Sequence, residues 1–250
     1  MKKKIIVKAP MLSQSGYGEQ ARYALRALRS REDLFDIYAL PIPWGRTGWI
    51  WEETEFRGWL DNIITKTQIE IQQKTLTTDM SLQITIPNEF EKMSPLNIGY
   101  TAGIETNRCS PQWLPKCNDM DKILVVSNHA KSSIADTVAI AQNQQTGETM
   151  DYKVEKSVEV VWENTPRHEP EFIDNFKLDF ENNFLVVSQM GGRKNFYNTI
   201  KWFVEEFIDQ EVGLVVKTNI KNNSISDSLA TDASLKSMLS AYPDRKCKVY

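Results

Sequence analysis

The stretch Gly191-Gly192-Arg193-Lys194-Asn195 joins two adjacent cations to a pair of glycines in this 250-residue chain. An apolar run precedes it and an amphipathic run follows it, which predicts a turn between a strand and a helix. Ligands of open α/β folds bind at the carboxyl ends of strands, where a guanidinium beside an ammonium suits a diphosphate. A solvated basic turn is the alternative, but cations are slightly unfavourable where a helix begins, so we favour an anion site. Lys217, at the end of the next predicted strand, either joins that site or is a surface lysine.

A second candidate is Gly16-Tyr17-Gly18, which opens a G-x-G-x-x-A pattern of the kind found in dinucleotide-binding loops. Its context argues against a nicotinamide cofactor. Residues 10–15 separate the pattern from the preceding strand, and Asp36 lies at the start of the next strand rather than at its ligand-facing end. Glycines before a helix also let backbone N–H groups approach a phosphate or a sugar. A flexible turn is the alternative, and the residues leave both open.

The positions of three further candidates, one for metal binding and two for catalysis, do not favour a functional role. Asp119-Met120-Asp121 spells a D-x-D pattern that can hold a divalent ion, but it leads into the amino end of a predicted strand, opposite the edge where ligands gather. We therefore expect no metal there. His129 is predicted in the first turn of a helix and His168 in a linker. Neither has a partner that indicates a nucleophile and base pair, so we expect both on the surface.

The elements that position these residues are predicted from hydrophobic periodicity. Short apolar runs alternate with amphipathic stretches in the first part of the chain, which is typical of β-α units around a largely parallel sheet. A helix is predicted at residues 19–29, and Ser127 can cap a second helix. The predicted strands are residues 5–9, 35–40, 82–86, 96–101, 122–126 and 158–162.

The region between the second and third predicted strands is less regular and rich in tryptophan. For these rings we favour packing over a partner surface or a sugar-stacking wall, because aromatic side chains supply large buried areas in any fold. The tryptophans are Trp44, Trp49, Trp51 and Trp59.

A polar loop is predicted at residues 142–149.

A change of pattern near residue 170 predicts a domain boundary, because prolines and a charged stretch precede a fresh β-α-β unit. Strands are predicted at residues 184–188 and 214–217, with a helix at 195–208 between them. The length that remains is short for a domain. We therefore expect an α/β protein with a first domain at 1–170 and an incomplete second domain at 171–250.

The bulk composition argues against several classes of protein. The 30 basic and 33 acidic residues leave a formal net charge of -3, which gives no strong signal for nucleic acid. The three cysteines are odd in number and lack C-x-x-C spacing, which argues against a disulfide framework or a zinc site and fits a reducing compartment. No apolar run approaches the length of about 18 residues that indicates a spanning helix. We expect a cytoplasmic protein and leave peripheral membrane contact open.

The order of these motifs resembles that of the GT-B glycosyltransferases, particularly the retaining enzymes of family four. Three stretches carry the resemblance, and together they span most of the chain. The first runs from Gly16 to Arg22, and the last from Gly192 to Lys217. The middle stretch comprises residues 97–101, Glu105, Pro111, Trp113, Asp121 and residues 127–131.

The resemblance implies two facing Rossmann-like domains, with the acceptor on the first, the nucleotide-sugar donor on the second and the active site in the cleft between them. Arg193 and Lys194 match the family's basic pair, which neutralises the donor diphosphate as the sugar leaves. That role needs no metal and no other cofactor. Under this resemblance Lys217 belongs to the same donor-binding group.

The resemblance also assigns residues of the first domain. Gly16-Tyr17-Gly18 matches a glycine loop that faces the donor. Ser127 matches the family's strand-to-helix serine, which we regard mainly as a helix cap with donor contact left open. Glu105 matches a carboxylate near the cleft and is the candidate catalytic residue, with local capping or pairing as an equal alternative.

Two of the family's features are not evident in this chain. One is a pair of glutamates late in the second domain, and the other is a histidine near the fourth strand. The donor sugar and nucleotide, the acceptor, the stereochemical outcome, the oligomeric state and the activity of this chain by itself therefore stay open. Two other functions stay open with them: a noncatalytic carbohydrate- or nucleotide-binding module, and a sugar-nucleotide epimerase of the same fold.

Overall fold

A computed structural model describes residues 2–142, 146–165, 169–174 and 176–250. Its internal contacts divide the chain into two compact units. The first unit comprises Met1–Gly45 with Ile50–Pro166, and the second comprises Arg46–Trp49 with Arg167–Tyr250.

The first unit is built on a parallel sheet flanked by helices, so the predicted α/β class is confirmed. Its strands are β1 (Lys3–Ala9), β2 (Phe35–Pro41), β3 (Met80–Ile84), β4 (Leu96–Thr101), β5 (Lys122–Val125), β6 (Ala139–Gln142), β7 (Thr149–Tyr152) and β8 (Ser157–Val160). Its helices are α1 (Gly16–Arg29), α2 (Glu55–Gln72), α3 (Trp113–Asn118) and α4 (Asn128–Ala135). Six strands form the Rossmann-like sheet in the order β2-β1-β3-β4-β5-β8, and every pair in it is parallel.

Alternation along β5 shows how the sheet separates two parts of the core. Leu124 packs in a cluster with α1 and the strands β1 to β4, whereas Ile123 and Val125 pack in a second cluster with α3 and α4. Successive side chains of a strand point to opposite faces, so both faces of the sheet receive helices. The carboxyl ends of all six strands consequently lie at one edge, where the connecting loops meet.

The structure differs from the sequence prediction after β2 and around residues 142–149. The region after β2, predicted to be irregular, contains α2, an 18-residue helix capped by Thr54. Thr67 of α2 accepts a hydrogen bond from the backbone N–H of Ala39 at 2.8 Å, so the helix covers the edge strand. The prediction of a loop at residues 142–149 is wrong for Gln142 and Thr149, because these residues belong to β6 and β7, which pair as an antiparallel hairpin. Residues 143–145 lie outside the described part of the chain.

The four tryptophans of this region differ in how far they are buried. Trp59 packs against the α1 side of the core, and Trp44 lies 4.4 Å from the Tyr17 ring, measured between ring centroids. Trp49 and Trp51 are 68% and 85% exposed. The packing interpretation is therefore wrong for these two residues.

The second unit has a parallel sheet of three strands in the order β11-β10-β9. Its strands are β9 (Asn183–Val187), β10 (Gly213–Lys217) and β11 (Lys248–Val249), and its helices are α5 (Phe196–Glu206) and α6 (Ile225–Leu239). The apolar face of α5 supplies Phe196, Ile200, Phe203 and Val204 to the core, as its periodicity predicts. Asn195 has a left-handed backbone with φ of 50°, so the helix begins one residue later than predicted.

The loop between β1 and α1 passes close to the first turn of α1. A Cβ atom on Gly18 would collide with the carbonyl oxygen of Ser13 and lie 3.0 Å from that of Pro10. Both obstacles are backbone atoms, which cannot rotate away. A Cβ atom on Gly16, two residues earlier in the same turn, would meet nothing within 4 Å.

We predict that Gly18→Ala lowers the free energy of unfolding by about 1–3 kcal/mol, the usual cost of forcing atoms into filled space. Gly16→Ala is the matched control and changes it by less than about 0.5 kcal/mol, as is usual for an unconstrained surface position. Urea unfolding followed by circular dichroism measures both. Equal stabilities of the two variants would contradict the close approach.

Candidate functional site

The glycine-containing stretch of the first unit is the first turn of α1. Ser15 caps the helix, and its hydroxyl accepts a hydrogen bond from the backbone N–H of Gly18 at 3.1 Å. The helix therefore begins at Gly16 rather than at the predicted Glu19, so Gly16-Tyr17-Gly18 belong to the helix instead of preceding it. Because the first N–H groups of a helix have no partners within it, this turn presents backbone donors at the carboxyl edge.

A buried arginine holds the preceding loop against α1. Arg22 is 5% exposed, and its guanidinium donates to the carbonyl oxygens of Met11 at 3.0 Å and Ser13 at 2.9 Å. It also pairs with the Glu19 carboxylate. Burial raises the pKa of Glu19, but the guanidinium outweighs that effect and holds the pKa below its usual range. The loop and the start of the helix are thus fixed relative to each other.

Tyr17 connects α1 to the end of β4. Its hydroxyl lies 2.8 Å from the Thr101 hydroxyl and accepts a hydrogen bond from the backbone N–H of Ala102 at 3.0 Å. Burial raises the pKa of Tyr17, and the charges of Glu163 and Glu89 raise it further. Tyr17 is therefore a neutral phenol near pH 7, and it holds the first turn of α1 to the loop after β4.

The loop after β4 also contacts the start of α4. Gly103 has φ of 77°, and a Cβ atom there would lie 2.7 Å from the Cβ atom of Ala130. Ser127 caps α4 by accepting a hydrogen bond from the Ala130 backbone N–H at 3.0 Å, so the predicted cap is confirmed. The amino ends of α1 and α4 thus both adjoin the loop after β4. Helix amino ends attract anions and electron-rich oxygens.

Several carboxylates lie at or just beyond the carboxyl ends of these strands. Glu105 is exposed in the loop beyond Gly103. Glu89, which follows β3, and Glu163, which follows β8, were not predicted as site residues, although positions after strand ends are where such groups are expected. Glu89 accepts a hydrogen bond from the Thr85 hydroxyl. The negative charges of Glu89 and Glu163 help to raise the pKa of Tyr17, which contacts the loop after β4.

The second unit brings its predicted cations to one edge. Arg193 and Lys194 lie in a 3-10 turn, Gly192–Lys194, between β9 and α5. The register of the parallel pair aligns Lys217 with Val187, the last residue of β9. All three cations are exposed. They share the carboxyl edge of a single sheet, which is where parallel strands place their ligands.

The loop after β10 is anchored to α6 by one carboxylate. Asp227 is 8% exposed and accepts hydrogen bonds from the backbone N–H groups of Lys221 at 3.0 Å and Asn223 at 2.9 Å. Desolvation raises the pKa of Asp227, but these backbone donors outweigh it and hold the pKa below its usual range. The anchor therefore fixes a loop beside Lys217.

The acidic pair before β5 is structural. The Asp121 carboxylate accepts a hydrogen bond from the backbone N–H of Asn97 at 2.7 Å, and Asp119 forms an ion pair with Lys92 at 3.5 Å. Both precede β5, at the amino edge of the sheet as predicted. In the described ranges, no three His, Cys, Asp or Glu side chains are grouped so that they can hold a metal ion. His129 is exposed in the first turn of α4, and His168 lies outside the described residues.

The three cysteines are free and buried. Burial raises the pKa of the Cys117 thiol to about 12, so this thiol stays protonated near pH 7.

Comparison of the sequence with protein-family models gives no match, and comparison with curated proteins gives none. Across the part of the chain that the structure describes, no helix has the length and apolar character needed to cross a bilayer.

We predict that Tyr17→Phe and Thr101→Val each lower the free energy of unfolding by about 1–2 kcal/mol, because each removes one partner of a hydrogen bond at a partly buried position. Combining them should cost less than the sum, by about 0.5–1 kcal/mol, because the two side chains are in contact. Urea titrations of the single and double variants measure this coupling. Tyr197→Phe, at an exposed position, serves as the control, and exact additivity would argue against the contact.

We predict that Asp227 makes the stability of the second unit depend on acid pH. Its folded pKa lies below the unfolded value of about 3.9, so its contribution is complete above that value and is lost as pH falls through the folded pKa. Urea titrations from pH 7 to pH 3, followed by NMR signals of β10, should show a shallower pH dependence in Asp227→Asn. Asp232→Asn, which removes an exposed ion pair on the same helix, should keep the dependence of the native chain. An unchanged profile in Asp227→Asn would refute the anchor.

Proposed function

We propose that this protein transfers a glycosyl group from a nucleoside diphosphate sugar to an acceptor hydroxyl, with side-chain cations rather than a metal holding the diphosphate. One observation carries the proposal: Arg193 and Lys194 are exposed in a glycine-containing turn at the carboxyl edge of a parallel sheet, and Lys217 ends a strand at that edge. Exposed cations at the carboxyl edge of a parallel sheet favour an anionic ligand over a neutral one.

The glycines of this turn support a closely approaching ligand. A Cβ atom on Gly191 or Gly192 would meet nothing within 4 Å, and neither residue has a left-handed backbone. Packing and backbone conformation therefore do not require glycine at these positions. A phosphate that approaches the backbone N–H groups of the turn does favour glycine.

The chemistry needs charge stabilisation on the donor side. The bond between the anomeric carbon and the diphosphate oxygen breaks, and its electron pair stays on that oxygen as negative charge. Arg193 offers a planar pair of N–H donors to the phosphate oxygens, and Lys194 offers a compact positive charge. Groups that stabilise charge where it develops lower the barrier more than groups that only bind the ground state.

The first unit offers groups suited to an acceptor. The acceptor oxygen forms the new bond to the anomeric carbon, and its proton passes to a carboxylate or to the leaving phosphate. Glu105 is our candidate for that carboxylate, with Glu89 and Glu163 near the same loop as further ones. The amino ends of α1 and α4, capped by Ser15 and Ser127, offer backbone donors for sugar or phosphate oxygens.

We predict that Arg193→Ala and Lys194→Ala each weaken binding of a nucleoside diphosphate by at least about tenfold, because a charge-assisted hydrogen bond is worth about 1.5–3 kcal/mol. Isothermal titration of UDP, GDP and ADP against the chain measures the affinity. Lys201→Ala, which removes an exposed cation from α5 that pairs with Glu205, should leave it unchanged. If both turn variants bind as tightly as the native chain, the site assignment loses its main support.

Product analysis separates the proposed activity from its alternatives. Transfer or hydrolysis of a nucleotide sugar supports a glycosyltransferase. Binding without turnover in the full natural protein supports a noncatalytic module, and conversion of the donor to its epimer without an acceptor indicates an epimerase. Mass and stereochemistry of the products distinguish these outcomes.

A further inference from the structure

Backbone contacts continue past the strand ends at the carboxyl edge of the second unit. The backbone N–H of Ser188 donates to the carbonyl oxygen of Lys217 at 3.2 Å, and that of Met190 donates to the carbonyl oxygen of Asn219 at 2.9 Å. The loop after β10 therefore runs beside the loop after β9 up to the residue that precedes Gly191, where the glycine-containing turn begins.

One side chain ties these two loops together beyond the backbone contacts. The side-chain amide of Gln189 donates to the carbonyl oxygens of Ile220 at 3.0 Å and Lys221 at 3.2 Å. The backbone N–H of Lys221 donates to the Asp227 carboxylate at 3.0 Å. Both polar backbone groups of Lys221 thus have a partner, while its side chain is exposed and carries an ammonium on a flexible stem.

The two loops carry an excess of positive charge. Residues 188–195 and 217–227 contain four cations and one carboxylate. The carboxylate, that of Asp227, is 8% exposed and accepts hydrogen bonds from the loop backbone. Like charges at one edge repel one another, and a bound anion offsets that repulsion. All four cations are exposed: Arg193, Lys194, Lys217 and Lys221.

We infer that Lys221 is a further donor-binding residue, whose ammonium contacts the phosphate oxygens of the nucleoside diphosphate, and that Gln189 is the positioning residue that holds Lys221 at this edge. The inference rests on the proposed function, since it extends the site assigned to Arg193 and Lys194. A fixed backbone favours binding by a flexible side chain, because less freedom is lost when the ligand binds.

Lys221→Ala tests the contact with the ligand by isothermal titration of UDP, GDP and ADP. The nucleotide that the native chain binds most tightly should bind about threefold more weakly, a change in the range of an exposed ion pair. Its affinity should also depend less steeply on added NaCl, because one screened charge pair is lost. Lys221→Arg keeps the charge and should preserve both properties. Lys246→Ala, which removes an exposed lysine before β11 at the opposite edge of the sheet, is the matched control and should change neither.

Gln189→Leu tests the positioning role, because it keeps the size of the side chain and removes its amide. The variant should bind the nucleotide more weakly than the native chain, and the double variant with Lys221→Ala should bind about as Lys221→Ala does alone, since Gln189 acts through that lysine. Gln210→Leu, at an exposed position before β10, is the control and should bind as the native chain does. Native affinity in Gln189→Leu, or losses that multiply in the double variant, would overturn the positioning role.

The same titrations separate this inference from the proposed function. Weaker binding in Arg193→Ala, together with native affinity and native salt dependence in Lys221→Ala, would overturn this inference and leave the proposed function in place. Binding of none of the three nucleotides by the native chain would overturn both.

Discussion

The parallel alignment of strands is the constraint on which both candidate edges depend. In a parallel sheet each strand must be followed by a crossover, so the loops that leave the carboxyl ends collect at one edge. In the first unit this constraint brings α1, the loop after β4 and α4 together, and the Tyr17 hydroxyl and Gly103 make the contacts between them. In the second unit the same constraint aligns Lys217 with the end of β9, next to the turn that carries Arg193. Residues far apart in the sequence thus come to the same edge of one sheet.

The solvent exposure of the cations in the second unit determines how much they can contribute to binding a diphosphate. Two unit charges 4 Å apart attract by about 1 kcal/mol in bulk water and by about 4 kcal/mol at an effective dielectric of 20. Arg193 and Lys194 are exposed, so charge alone supplies weak, salt-sensitive binding. A specific diphosphate site therefore needs directed hydrogen bonds from the guanidinium and the backbone as well. The open space around Gly191 and Gly192 permits that backbone approach.

Much of the fold could be predicted from local patterns, and the misses have physical causes. The strands were found because their apolar runs reflect burial, and the Ser127 cap was found because a cap is a local interaction. Helix α2 was not predicted because three tryptophans and irregular spacing precede it, although Thr54 and the apolar spacing that follows it are ordinary helix signals. The hairpin of β6 and β7 is short and largely exposed, so no apolar alternation marked it.

The site shows the same division between local and distant interactions. The placement of Arg193, Lys194 and Ser127 at strand-to-helix turns follows from neighbouring residues. The need for glycine at position 18 depends on the backbone of Ser13, which only the folded loop brings near. The contact of Tyr17 with Thr101 spans 84 positions of the chain, and no periodicity encodes it.

Helix α1 presents different residues to the carboxyl edge, to a surface cavity and to the core. Its first turn lies at the carboxyl edge, whereas Gln20 and Ala24, spaced i and i+4, line a cavity of about 590 Å³ beside β3, β4 and β5. Ala21 and Leu25, rotated by one position, face the core and are fully buried. Because these buried apolar residues recur at helical spacing, one face of α1 holds the helix on the sheet while its first turn stays at the carboxyl edge.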